Sequence, residues 1–102
     1  MEYQFSINDF EGPLDLLLHL VKTSKMNIYD IDIKLIIDEY LKFIESEKNK
    51  NIDIASSYLV MASELIHLKS KMLVNDQEVE EANEEEFSIA SEEDLRRKII
   101  EY

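Results

Sequence analysis

A chain of 102 residues with a single glycine and a single proline has almost nothing with which to turn tightly. β-Hairpins draw on glycine or asparagine at nearly every turn, so the composition argues against an all-β architecture and a few long helices are expected. The length allows one domain with a modest core. A composition of 45% hydrophobic and 33% charged residues supplies one core and a well-solvated surface.

Hydrophobic spacing locates the helices. Tyr3, Phe5 and Ile7 alternate with polar neighbours, which predicts an extended run over 3–8. A first helix is expected over 13–23, with Gly12 as N-cap and Pro13 at N1, where its missing N–H costs nothing. Asp15 sits in its first turn, beside the positive end of the helix dipole. Only Asp15, His19 and Lys22 are polar on this helix, in one narrow strip, as suits a helix held by neighbours on several sides.

A second helix is expected over 33–48, with Asp30 or Asp32 as cap. Ile33, Ile36, Ile37, Tyr40, Leu41 and Ile44 share one face, and Asp38 and Lys42 are spaced for an ion pair on the other. Leu35 falls on the polar side. Glu47 to Asn51 reads as a charged loop.

A third helix is expected over 54–73, capped by Asp53, a rod about 30 Å long. Its apolar arc covers about half the circumference, more than the roughly 100° that packing on one core requires. Stripe width alone fits either a long helix packed in the middle of a small domain or two separate seams. In the second case Ala55, Leu59, Ala62, Ile66 and Leu73 form the inner seam, where two alanines allow close helix approach. Ile54, Tyr58, Met61, Leu65, Leu68 and Met72, spaced 4-3-4-3-4 like a coiled-coil stripe, form the outer one. Methionine and tyrosine suit an adaptable partner surface, and Lys69 lies near the middle of the arc, placed to snorkel or to meet a carboxylate.

Between Lys71 and Arg96 there are ten acidic residues and no basic one. Residues 75–90 are expected to be a flexible acidic linker. Ser91 and Asp94 form a capping-box-like start to a further helix over 91–102, whose apolar pattern is still running where the sequence stops. The expected fold is all-α: three packed helices, a linker and the start of a fourth helix.

No catalytic constellation emerges. Asp15 and His19 stand one turn apart, but a polar surface strip accounts for them more simply than a metal does, and His67 lies among polar residues on the third helix. With no cysteine there is neither a disulfide framework nor a thiolate site, which fits a cytoplasmic setting. A solitary glycine builds no phosphate loop. No cofactor and no enzymatic activity are expected. The net charge of −12 repels phosphate backbones and disfavours direct nucleic-acid binding. The longest apolar stretch, Leu16–Val21 interrupted by His19, is too short to span a membrane, and the acidic N-terminus is no signal peptide.

Four blocks, Phe10–Leu18 (FEGPLDLLL), Ile28–Ile33 (IYDIDI), Ile52–Ala62 (IDIASSYLVMA) and Lys69–Leu73 (KSKML), together with the acidic stretch before Asp94-Leu95 and Glu101-Tyr102, resemble the N-terminal domain of the bacterial kleisin family ScpA over essentially the whole chain. Asp32 departs from the family, whose members often carry proline there; either residue suits a helix start. The resemblance implies a non-enzymatic subunit of the SMC complex in chromosome condensation and segregation, found with the nucleoid in the cytoplasm. It implies docking of this domain on the SMC neck, the coiled coil beside the ATPase head, with ScpB bound by a region downstream. It also places neck contact on the third helix. Joined to the two-seam reading, it makes Ile54, Tyr58, Met61, Leu65, Leu68, Lys69 and Met72 the expected partner-binding set. The alternative is a helical module that associates with its own copy through the same seam.

Overall fold

α1 runs from Pro13 to Thr23 with Gly12 as N-cap, and Asp15 accepts a hydrogen bond from the Glu11 backbone N–H at 3.0 Å. The structure, a computed structural model, describes residues 5–73 and 89–102. The other helices are α2 (Ile33–Asn49), α3 (Ser56–Leu73) and α4 (Glu92–Glu101), and no strand occurs among the described residues. The all-α architecture read from the sequence holds.

Two helices end on residues with positive φ, Lys25 at 59° and Asn51 at 60°. The N–H of the following residue reaches back in each case, from Met26 to the Val21 carbonyl and from Ile52 to the Glu47 carbonyl, both at 3.2 Å. These are Schellman-type endings built without glycine. A chain so poor in glycine thus reverses direction at the cost of two strained non-glycine residues.

The core is shared by the four helices of the described residues. Leu16, Leu17, Leu20 and Val21 of α1 meet Ile33, Ile36, Ile37, Tyr40, Phe43 and Ile44 of α2, and Leu65 and Leu68 close one side. Leu17 is fully buried, whereas Leu18 is partly exposed and packs at the core's edge. Leu17→Ala should therefore cost about 2–5 kcal/mol, and Leu18→Ala about half as much. Thermal denaturation of the two variants checks the order; equal losses would contradict it.

Several elements differ from expectation. The extended run predicted over 3–8 gives way at Ile7–Asp9 to a 3-10 turn, because Asp9 accepts from the Ser6 N–H at 2.8 Å and curls the chain. α3 begins at Ser56, so Asp53 lies ahead of the helix and does not cap it. The Asp38–Lys42 pair is replaced: Lys42 lies 3.9 Å from Glu39, and Asp38 receives Lys69 of α3 at 2.7 Å.

Glu47, placed in a charged loop by its neighbours, is buried within α2. Its Oε1 accepts the Ile7 N–H at 2.6 Å and its Oε2 lies 3.7 Å from Lys50 Nζ. That clamp holds the N-terminal segment, whose Phe5 and Phe10 rings pack on Phe43 and His19 at centroid distances of 4.5–6.3 Å. His19 is thus half covered by aromatic rings.

The linker expected over 75–90 lies outside the described residues as far as position 88. Ile89 and Ala90 are described: Ile89 is buried, and the Ala90 carbonyl accepts from Lys71 Nζ at 2.7 Å. α4, expected only as the start of a further helix, packs on α1 and α2 with Leu95 and Ile99 fully buried. Ser91 caps it by accepting from the Asp94 N–H at 3.1 Å, and Arg96 donates to the Ile31 carbonyl at 2.8 Å. This answers the all-round apolarity of α1, which takes α4 as a further neighbour.

Tyr40 is buried in α2, and its hydroxyl donates to the Tyr58 carbonyl at 2.8 Å. Burial first, and then the charge of Tyr58, raise its pKa far above the ordinary tyrosine value. Ionisation therefore opposes folding. The stability that depends on the neutral hydroxyl is complete below pH of about 10 and is lost as pH rises toward the elevated value. Melting temperature should fall across that alkaline window. Tyr40→Phe should lose about 1 kcal/mol at neutral pH and show a shallower alkaline decline; an unchanged decline would remove Tyr40 as its source.

Candidate docking surface

α3 carries apolar residues on two sides, and burial separates them. Tyr58, Met61, Leu65 and Leu68 are buried. Ile54 and Met72 are partly buried against the core. Tyr58 also directs its hydroxyl at the Phe10 carbonyl, at 3.4 Å, while its pKa is raised by burial and then by Asp15 and Tyr102. The opposite side faces solvent: Leu59, Val60, Ile66 and Leu73 are 46%, 54%, 54% and 66% exposed, with Ala55 exposed and Ala62 half-buried beside them.

This reverses the division expected from the sequence. Of the seam given to a partner, Tyr58, Met61, Leu65 and Leu68 lie in the core; of the alanine seam given to the core, Ala55, Leu59, Ile66 and Leu73 lie outside and Ala62 alone packs at the core's edge. Side-chain size is the reason. Tyr58, Met61, Leu65 and Leu68 are all large, and each contributes roughly 1.5–3 kcal/mol on full burial; the alanine seam offers only three large side chains and leaves two small ones. Facing inward, the larger set removes more apolar area from water. Lys69 belongs to neither seam: it spans to Asp38 and joins α3 to α2.

The outward seam has a coiled-coil register. Leu59, Ile66 and Leu73 repeat every seven residues, and Ala55 and Ala62 interleave to give 4-3-4 spacing as far as Ile66. Ser56, Ser63 and Ser70 run alongside, also exposed, so a partner helix meets small side chains and can approach closely. One flank borders a shallow groove on α2, lined by Leu35, Asp38, Glu39, Lys42, Glu45 and Lys69; Leu35 is exposed there, as its position on the polar side predicts. The N-terminal end opens into a cleft of ≈ 500 Å³ between the 3-10 turn and the first turn of α3, where Glu11, Asp53 and Ile54 line the wall.

Asp15 and His19 do not converge on a shared ligand, since Asp15 binds backbone and His19 packs on phenylalanine rings. Among the described residues no three His, Cys, Asp or Glu side chains gather as metal ligands, and no helix is long and apolar enough to cross a membrane. Sequence reasoning missed Glu47 and Phe43, although both continue the stripe of Ile36, Tyr40 and Ile44 at spacings of three or four.

The described residues define an all-α domain whose longest helix leaves one apolar face without a partner. The chain belongs to the family of segregation and condensation protein A: residues 20–102 match its family model, described as segregation and condensation protein ScpA. It is 48% identical over 101 residues to the segregation and condensation protein A of Bacillus licheniformis, a match covering 99% of this chain and 39% of that protein. The Bacillus subtilis protein of the same name is 48% identical over 100 residues, covering 98% of this chain and 39% of the relative. The Myxococcus xanthus one is 46% identical over 107 residues, covering 98% and 37%. The chain thus spans about two fifths of the length of the curated relatives it matches.

Proposed function

We propose that this domain is the SMC-docking part of a non-enzymatic kleisin subunit, seating the outward face of α3 against the coiled-coil neck of SMC in chromosome condensation and segregation. The observation that carries the reading is the exposed heptad stripe Leu59, Ile66 and Leu73 on a helix whose other apolar side is buried in the core of the described residues. Such a stripe is what a helix presents when a coiled coil is to complete its packing. The names of the relatives support the process, and the family resemblance supports SMC as partner.

Of the residues first expected to meet SMC, Ile54 and Lys69 line the cleft and the flanking groove and are proposed for the rim of the interface. Tyr58, Met61, Leu65 and Leu68 act indirectly, by fixing α3 on the core. Met72 faces the start of α4, where it lines a small pocket with Ala90, Ser91 and Glu92. ATP hydrolysis belongs to SMC in this reading, ScpB is bound by sequence outside this chain, and DNA contact belongs to the assembled cytoplasmic complex.

The test is to titrate the protein separately with SMC neck and SMC head fragments. Saturable binding to the neck, and none to the head, is the expected result. Binding confined to the head would sink the proposal. A second reading, self-association through the same seam, is opposed by the net charge of −12 on each copy.

A further inference from the structure

The seam of α3 is apolar along its length, and its surroundings are acidic. At its N-terminal end, Ala55 belongs both to the seam and to the cleft beside the 3-10 turn, so a straight helix lying along α3 reaches that cleft. The charged side chains lining it, Glu11 and Asp53, are both carboxylates, both are exposed, and neither is paired with a cation among the described residues. Asp15 stands behind Glu11 on α1. The pKa of Tyr102 is raised by desolvation first, then by Asp15 and Glu11, so several negative charges act on this end of the molecule. The N-terminus of α3 opposes them with only about half an elementary charge.

Along the flank the balance is acidic too. Asp38, Glu39 and Glu45 share the α2 groove with Lys42 and Lys69, and both lysines already have carboxylate neighbours, Glu39 and Asp38. An occupant with acidic edges would meet like charge at both places, and a second copy of this chain would bring −12 to −12. We propose that the occupant of the α3 face is a helical surface whose apolar stripe is edged by lysine or arginine, one of which enters the Glu11–Asp53 cleft and sets the direction in which the partner runs along α3. This rests on the docking reading above and specifies the partner's charge and orientation within it.

The experiment titrates the SMC neck fragment with the full protein carrying this domain, at low and high salt, in three forms: parent, Glu11→Gln/Asp53→Asn, and Leu59→Glu. Both carboxylates are exposed, so the double variant should melt with the parent. It should bind roughly five- to tenfold more weakly at low salt, with a flatter salt dependence, while Leu59→Glu should not bind. Parent affinity and salt dependence in the double variant, with Leu59→Glu inactive, would overturn the basic-edged partner and leave the docking reading standing. Undiminished binding by Leu59→Glu would overturn both. Concentration-dependent dimerisation of the protein alone, lost in Leu59→Glu, would identify the occupant as a second copy and overturn the proposal.

Discussion

Leu65→Glu unfolds the domain. Leu65 is wholly buried in α3, in a core with Ile36, Ile37 and Tyr40 of α2. Losing the leucine forfeits roughly 1.5–3 kcal/mol of apolar burial. The carboxyl that replaces it either ionises in an apolar site, at a cost of several kcal/mol, or stays neutral without a partner, at about 1–3 kcal/mol. The sum by the cheaper, neutral route is about 2.5–6 kcal/mol, which reaches the lower end of what a domain of this length holds in reserve, about 5–15 kcal/mol. Circular dichroism should show lost helix and no cooperative melt. Leu65→Met, which keeps volume and polarity, should fold with a loss below about 1.5 kcal/mol. A folded Leu65→Glu within about 1 kcal/mol of the parent would place that side chain at the surface.

That outcome differs from what the periodicity of α3 suggests, and the difference shows where sequence reading stops. Residues 54, 58, 61, 65, 68 and 72 repeat 4-3-4-3-4, and 55, 59, 62 and 66 repeat 4-3-4; spacing cannot choose between them. Side-chain volume can. Read for volume instead of for alanine-mediated closeness, the sequence points inward through Tyr58, Met61, Leu65 and Leu68. The helix starts at Pro13 and Ile33 were legible because proline and aspartate act locally, through a fixed φ and through a side chain reaching the Leu35 N–H.

Other features were hidden for a physical reason. Glu47 looks like a loop residue among lysines and asparagines, and its burial is made tolerable by the distant Ile7 N–H together with the nearby Lys50 ammonium. α4 was legible as a helix from Ser91 and Asp94. Its docking on α1 depends on contacts made across the intervening acidic sequence, by Leu95, Ile99 and the Arg96–Ile31 bond, and no local pattern encodes those. The breadth of apolar surface on α1 was the one hint that another helix was required.

Ile66→Glu, one residue along from the unfolding substitution, should leave the domain folded and abolish docking. Ile66 is 54% exposed, midway between Leu59 and Leu73 in the outward stripe. In the free protein the new carboxylate stands in water, and glutamate is the better helix former, so stability should change by less than about 1 kcal/mol. In the complex the same carboxylate would sit in the centre of an apolar interface, stripped of water. Such a desolvation, with the lost isoleucine contact, costs at least about 3–4 kcal/mol, roughly a hundredfold to a thousandfold in affinity. Ile66→Lys separates burial from charge sign: if desolvation dominates it should bind as poorly, and if attraction to a basic edge dominated, glutamate would bind better than lysine. Val60→Glu, about 100° round the helix from Leu59 and 54% exposed, should lose less because its charge can remain wet. The measurement pairs a thermal melt with a titration of the SMC neck on each variant. Parent-like binding by folded Ile66→Glu would take this face out of the interface, whatever partner the domain holds.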